Sequence, residues 1–385
     1  MEPNLRTCDF CKSTNLRDAY PVPDSALGMV VQICMDCGLV QSHQTKPKPQ
    51  VRLVSTSSGA GWGNIRHGKG LRLKSAVPLI KAAKGWDEVR SVLDVGSNRG
   101  DFIHWLLSEK PDAQITAVEP DLEVVATYKN LPSVRLIGDR FENVNLPSGT
   151  FDFVYLSHTL EHAASASAML KKIYDLLQPN GVVFLEVPNL AVIDDEDVFE
   201  EFFIDKHTFH FSREILRDYL TLIGYEIFSG ALDTDRYNIT FHLRKTVNQP
   251  LSGFSAQISG DLAIERMMAY EKKLTNNREK LKKAAEKLVS LMDRQKVAFW
   301  GAGRQFDALV RFGGLDPSSV KFLVDEHLWK YLPQTHSIPV HRPEELKVFM
   351  PQVVVVMARG SADEITEKVR RYSIKNVIKL RDLLV

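Results

Sequence analysis

Short apolar runs punctuated by turn residues set out the chain. Residues 91–98 read Ser-Val-Leu-Asp-Val-Gly-Ser-Asn, an apolar strand running into a glycine turn, and Phe102, Ile103, Trp105, Leu106 and Leu107 follow at helical spacing. Further strands are predicted at 114–118, 134–139, 151–156 and 182–187, the last preceded by a helix end and turn at Leu176-Leu177-Gln178-Pro179-Asn180-Gly181. Strands alternating with helices make a parallel, doubly wound α/β sheet. Past about residue 250 the period changes. Leu262, Met267, Met268, Leu274, Leu281, Leu288 and Leu291 recur at helical spacing in the charged stretch 261–294, which predicts one or two long helices. A strand at 296–300 then enters Gly301-Ala302-Gly303, and strands at 320–325, 352–357 and 376–380 complete a second, smaller sheet.

A length of 385 residues suits roughly two to three domains. With 44% apolar and 25% charged residues the chain is an ordinary globular one rather than a disordered one. No apolar run nears the eighteen or so residues of a membrane span, and Met1-Glu2-Pro3-Asn4 lacks the basic and apolar regions of a signal peptide, so a cytoplasmic setting is expected. A net charge of +1 argues against a whole-protein grip on nucleic acid or membrane.

All four cysteines lie near the start, as Cys8-x-x-Cys11 and Cys34-x-x-Cys37. Two such knuckles make a tetrahedral sulfur site, for which zinc is the default ion, in a closed and structural role. Two disulfides or a redox dithiol are the alternatives, and a cytosolic setting disfavours the first. From His43 to Lys84 there is no Asp or Glu. Within that stretch Ser58, Trp62, Asn64, Arg66 and Lys69 combine small residues, donors and cations that suit a phosphate or diphosphate. A solvated linker fits the same residues equally well.

The first strand ends in Asp94-x-Gly96-x-x-x-Gly100, enclosing Ser97 and Asn98, and Glu119 follows nineteen residues after Gly100, before Pro120. An acidic tip on the second strand is placed to accept ribose hydroxyls, and the glycines let backbone approach a ligand. A nicotinamide site would show Gly-x-Gly-x-x-Gly for a pyrophosphate. Acidic groups on both sides suit a cationic, amino-acid-bearing nucleoside instead. The segment resembles the first motif of class I S-adenosylmethionine (SAM) methyltransferases. That resemblance implies a cofactor site continuing through Asp139 at the adenine amino group, Arg140, Phe141 near the ring, and Ser157 at the end of the fourth strand. His158-Thr159-Leu160-Glu161-His162 is similar to the superfamily's His-x-Leu-Glu-His ending. His162 is read there as a packing or capping residue.

The whole layout resembles the nucleotide-sugar C-methyltransferases: a zinc module and basic loop (1–75), a SAM domain (76–245), a helical connector (246–295) and a Rossmann-like domain (296–385). The resemblance implies a small-molecule acceptor, a nucleoside-diphosphate keto-sugar, deprotonated beside its keto group so that the enolate carbon takes the methyl. Where the family carries Tyr-His-Glu-His, this chain has Ile204-Asp205-Lys206-His207, keeping only the last His. His207 and His210 are the expected bases, with Asp205 orienting either ring and His158 third. Arg66, Lys69 and Arg304 are candidates for the acceptor phosphates. Methylation at carbon or oxygen stays open, as do an RNA methyltransferase with a zinc clamp, a non-catalytic SAM- or nucleotide-binding module, and a monomer or homodimer. No membrane partner is expected, and the charge disfavours nucleic acid.

Overall fold

The structure is a computed structural model that describes residues 7–23, 25–46, 71–83, 85–122, 124–194, 202–229, 238–245, 260–330, 332–358 and 361–384. Ser58, Trp62, Asn64, Arg66 and Lys69 lie outside the described residues. The chain forms two compact units, one built on Met1–Lys48, His67–Asp194 and Phe203–Met268, the other on Ala269–Val385.

The first unit holds strands β1 (Leu16–Pro21), β2 (Met29–Cys34), β3 (Val40–Gln44), β4 (Ser91–Val95), β5 (Gln114–Val118), β6 (Val134–Ile137), β7 (Phe151–Ser157), β8 (Leu177–Pro188), β9 (Phe209–His210), β10 (Tyr225–Ser229) and β11 (Asn238–Lys245). Seven make one sheet in the order β10-β11-β8-β7-β4-β5-β6. Strands β4 to β8 are mutually parallel, and β11 runs antiparallel to both β8 and β10. The first strand of this sheet is therefore central, and the chain winds outwards to either side of it. That reversal opens a crevice at the carboxyl ends of β4, β5 and β7, the usual ligand position in such sheets.

Both faces of the sheet are covered, which is why its strands read as unbroken apolar runs rather than alternating ones. Leu93, Val95, Val154, Leu156, Val183 and Leu185 face one core. Val92, Phe153, Tyr155 and Phe184 face the other. On that side Phe102 stacks on Tyr155 at 4.0 Å, and Tyr155 on Phe184 at 5.4 Å.

A second, four-stranded sheet runs β1-β2-β3-β9. Its last strand comes from far along the chain: Val40 pairs with His210 and Gln41 with Phe209, antiparallel. The cysteine segment shares the main core, since Cys8, Cys34, Cys37 and Leu39 belong to the same apolar cluster as Leu93 and Phe211. Phe10 stacks on Tyr219 at 4.3 Å, and the Asp9 carboxylate accepts from the Tyr219 hydroxyl at 3.1 Å and the Ser167 amide at 2.9 Å.

One helix, Gly260–Met292, occupies the long charged stretch. Met267, Leu274, Leu281 and Leu288 are buried along it, whereas Leu262 and Met268 are exposed. Its first residue abuts the second cysteine knuckle: a Cβ at Gly260 would lie 2.5 Å from the Met35 Cα. The second unit carries β12 (Val297–Trp300), β13 (Leu323–Val324), β14 (Gln334–Thr335), β15 (Ile338–His341), β16 (Val353–Val356) and β17 (Asn376–Lys379) in the order β14-β15-β13-β12-β16-β17. All of its strand pairs are parallel except the β14–β15 hairpin. Among the described residues no helix is long and apolar enough to cross a membrane.

His242 on β11 is 3% exposed, between the rings of Phe184 at 5.6 Å and Phe228 at 5.9 Å. Burial lowers its pKa from 6.5 to about 4. The unfolded chain therefore takes up this proton first. The stability contributed by the neutral ring is full above pH 6.5 and is lost as the pH falls towards 4. Replacing it in His242→Phe should remove up to about 3 kcal/mol of acid sensitivity over that window. Urea denaturation of both proteins at neutral pH and at pH 4 checks this, and an equal acid loss in the two would refute it.

Candidate active site

The glycine loop after β4 is fixed by backbone geometry. Gly96 and Gly100 both have φ of 78° and Asn98 has 46°, all in the left-handed region. A Cβ at Gly96 would lie 2.4 Å from Thr159 Oγ1, and one at Gly100 2.3 Å from the Tyr128 ring. Only glycine avoids both the strain and the collision. The Gly96 amide bonds the Val118 carbonyl at 2.9 Å, which ties the loop to the end of β5. The Ser97 hydroxyl meets the Tyr128 hydroxyl at 2.8 Å, and Tyr128 donates to the Asn98 carbonyl at 2.8 Å.

Glu119 sits one residue beyond β5 and is nearly buried. Its Oε2 accepts from the Asn98 amide and its Oε1 from the Asp121 amide, both at 2.8 Å. Asp94 is 1% exposed, and neither of its oxygens has a hydrogen-bond partner. Burial, then the charge of Glu119, raises its pKa well above the usual carboxylate range. An orphaned buried carboxyl beside a second acid fits a cationic ligand in the adjoining crevice. The loop, Glu119 and Asp94 thus fit the nucleoside and sulfonium of SAM.

Past β6, Asp139 is exposed and accepts from the Arg140 amide at 2.6 Å and from Asn143 Nδ2 at 2.9 Å. Arg140 pairs with Glu142 at 3.1 Å, and Pro120 is exposed beside Glu119. Phe141 is 4% exposed, its ring covered by Lys172 Nζ at 4.7 Å. Its ring packs in the main apolar cluster.

The acceptor side is a cluster of imidazoles and carboxylates at the tips of β7 and β8. His158 follows Ser157 with a left-handed φ of 48°, uncommon for a residue with a Cβ. Its Nδ1 lies 3.4 Å from Glu161 Oε1, and its Nε2 lies 3.4 Å from Glu186 Oε1. The Ser157 hydroxyl donates to the same Glu186 oxygen at 2.9 Å. Glu161 is fully buried. Desolvation works to raise its pKa, but His158, His162 and His207 outweigh it and bring it down to about 2. The rings of His162 and His207 are 4.9 Å apart, and those of His207 and His210 6.5 Å apart.

Three expectations change. His210 is 3% exposed on β9, with Nε2 2.7 Å from the Ser42 hydroxyl, and burial followed by the nearby His207 pushes its pKa well below 6.5. It stands behind His207 and not beside it. Asp205 orients neither ring: it accepts from the Ser25 hydroxyl and, at 2.9 Å, from the Ala26 amide, in the turn between β1 and β2. The orienting carboxylates are Glu161 and Glu186, and His162 joins the cluster rather than merely packing. Glu161 and His162 stood in the sequence motif, but only the fold brings Glu186 from the end of β8 to meet them. Arg304 lies in the second unit, opening the helix Arg304–Arg311 after Gly303.

In the second unit, Asp325 closes the Gly-Ala-Gly turn by accepting from the Ala302 amide at 3.0 Å. A cavity of about 380 Å³ there is lined by Trp300, Trp329, Tyr372, Lys330, Lys368 and Arg371 among others.

The four thiols converge. Cys8 and Cys37 sulfurs are 3.5 Å apart, as are Cys11 and Cys34, and all four lie within 4.8 Å of one another. Tetrahedral metal–sulfur bonds of roughly 2.3 Å would set sulfurs roughly 3.8 Å apart, so the donor set fits zinc. In both knuckles the residue after the second cysteine is left-handed, Lys12 at 63° and Gly38 at 77°.

Comparison with known proteins agrees with this geometry. A family described as "Methyltransferase domain" matches residues 70–229, and one described as "C-methyltransferase C-terminal domain" matches residues 258–378. A tRNA U34 carboxymethyltransferase of Desulforapulum autotrophicum is 30% identical over 28% of this chain and 34% of its own length. The C-methyltransferase NovU of Streptomyces niveus is 23% identical over 89% of this chain and 83% of its own. The chain thus spans about a third of the first relative and most of the second. A crystal structure of a SAM-dependent methyltransferase from Mesorhizobium loti is 13% identical with a TM-score of 0.35, covering 43% of this chain and 100% of that one. The strand order, the glycine loop and the first family match together identify a class I SAM-methyltransferase domain, and residues 258–378 are similar to the C-terminal domain of C-methyltransferases.

Proposed function

We propose that this protein transfers the methyl group of SAM to a carbon or oxygen atom of a nucleotide-linked sugar, with a structural zinc ion in its four-cysteine cluster. The observation that carries the reading is the imidazole–carboxylate cluster of His158, Glu161, Glu186, His162 and His207, at the tips of β7 and β8, with β7 paired to the strand that leads into the glycine loop. When bound, SAM supplies a methyl group already activated on a sulfonium. The protein's part is then placement, exclusion of water and proton removal.

Gly96 and Gly100 admit the nucleoside to the backbone, Glu119 takes the ribose hydroxyls, and Asp139 at the tip of β6 is within the same crevice for the base. An imidazole of the cluster, His158 or His207, takes the acceptor's proton. The electron pair left on carbon or oxygen forms the new bond to the methyl carbon as the sulfur–carbon bond breaks. The products are the methylated acceptor, S-adenosylhomocysteine and a protonated histidine.

The match to NovU along most of the chain, and the C-methyltransferase C-terminal domain, support methyl transfer to a carbon atom.

Incubation with methyl-deuterated SAM and a panel of keto and reduced nucleotide sugars should yield a labelled nucleotide sugar by mass spectrometry, with fragmentation distinguishing carbon from oxygen methylation. Label appearing on RNA, or on no acceptor while SAM binds, would overturn the acceptor class. Glu119→Ala should weaken SAM binding about 10- to 100-fold by calorimetry, the worth of its charge-assisted hydrogen bonds. Metal analysis of Cys34→Ser should show one zinc ion fewer per chain than wild type, with a lower unfolding temperature. Equal zinc content in both would remove zinc from the thiols.

A further inference from the structure

Apart from the four thiols, one group of described side chains directs three metal-type donors at a common point. Donor atoms of Glu161, His162 and His207 all lie within 4.8 Å of one another. We propose that Glu161, His162 and His207 form a divalent transition-metal site at the acceptor end of the methyltransferase centre, whose open positions hold two neighbouring oxygens of the acceptor. The site rests on the methyl-transfer reading for its use, but not for its existence.

Two imidazoles and one carboxylate are the donor set that zinc, manganese, iron and cobalt share. The tautomer of His162 is fixed in the sense a ligand needs. Its Nδ1 is 2.8 Å from the Lys206 carbonyl, an acceptor only, so Nδ1 carries the hydrogen and the Nε2 lone pair faces Glu161 Oε1 at 3.8 Å. A backbone carbonyl behind the distal nitrogen is the usual outer support of a metal-bound histidine.

Glu161 supplies the independent observation. It is 1% exposed, and neither carboxylate oxygen accepts a hydrogen bond. His158 Nδ1, at 3.4 Å, is too far for a good bond, and His162 Nε2, at 3.8 Å, presents a lone pair rather than a hydrogen. A buried carboxylate left in this state costs free energy unless something else coordinates it. Ligand bonds of roughly 2.0–2.2 Å would bring the three donors to about 3–3.5 Å from one another. That closure is a small side-chain movement about a fixed backbone: the Thr208 amide bonds the Glu161 carbonyl at 2.8 Å, and the His207 amide bonds the Ile204 carbonyl at 2.9 Å.

Three protein ligands leave positions open, as in catalytic and not structural sites. A vicinal diol or a keto-hydroxyl pair on a sugar is a natural bidentate occupant. Such an ion would lower the acidity barrier of a bound hydroxyl or stabilise an enolate oxygen. With the His207 lone pair committed to the ion, proton removal falls to His158, which stands between Glu161 and Glu186 outside the donor set.

The test uses the full-length protein with its thiols loaded with zinc, titrated with Co2+ and followed by visible absorption and calorimetry. One Co2+ should bind per chain with ligand-field bands and no thiolate charge-transfer band. His162→Ala and Glu161→Gln should each weaken that binding at least tenfold while keeping the thiol zinc and SAM binding, which reports an intact fold. Wild-type Co2+ affinity in both variants, or no Co2+ binding outside the thiols, would overturn the site. Stoichiometric Co2+ binding together with no methylated sugar would leave the metal site standing and remove the acceptor assignment instead.

Discussion

A two-residue strand holds the acceptor half of this protein in place. Phe209 and His210 have no sheet of their own; they complete the four-stranded sheet of the cysteine segment by pairing with Val40 and Gln41. The Ser42 amide takes the Thr208 carbonyl at 2.7 Å, and the Ser42 hydroxyl holds His210. On the next residue the chain bridges to the main sheet, where Phe211 meets Asn189 just beyond β8. The segment bearing His207 is therefore sewn between two sheets, one anchored by four sulfurs and the other by the methyltransferase core. Single backbone hydrogen bonds add only about 1 kcal/mol each. The register persists because Phe209 and Phe211 are buried in the same apolar cluster as Cys34, Cys37 and Leu185. This gives the cysteine segment a role in the site that its distance along the sequence conceals.

The two ends of the crevice have opposite electrostatic character. On the glycine-loop side Asp94 and Glu119 are both largely buried, and burial followed by the charge of Glu119 makes Asp94 harder to ionise. Two acids at that end favour a cation. On the other side Glu161 is held ionised by three imidazoles. Excess proton-accepting capacity sits there, next to a carboxylate that no hydrogen bond satisfies.

Legibility in the sequence followed how local the cause was. The glycine loop could be read because Gly96 and Gly100 answer to backbone geometry and to immediate neighbours, Thr159 and Tyr128. The strand order follows from apolar runs buried on both faces, and the cysteine knuckles from a spacing of three. The acceptor cluster is non-local. Glu161 and Glu186 stand 25 residues apart and meet across His158 only because β7 and β8 are parallel neighbours. Asp205 was the nearest acid in sequence to the histidines, yet the turn between β1 and β2 captures it. Phe141 opens a 3-10 turn, and its ring is buried in the main apolar cluster. His210 differs from His207 because it lies on β9 and is buried against Ser42, whereas His207 precedes the strand and is only partly buried.

The run at residues 204–207 departs from the family's pattern without dismantling the site. The Tyr-His-Glu-His run is reduced to His207, yet the positions lost from it lie in a segment whose own carboxylate, Asp205, serves to dock the β1–β2 turn. The charges needed beside His207 come instead from the main sheet, through Glu161 and Glu186, which the glycine loop and β8 hold in place whatever occupies residues 204–206. Chemistry is thus supplied by the rigid sheet, and position by the borrowed strand. A sequence can change the borrowed segment freely only where neither function is touched, and His207, at the junction of the two, is the residue both require.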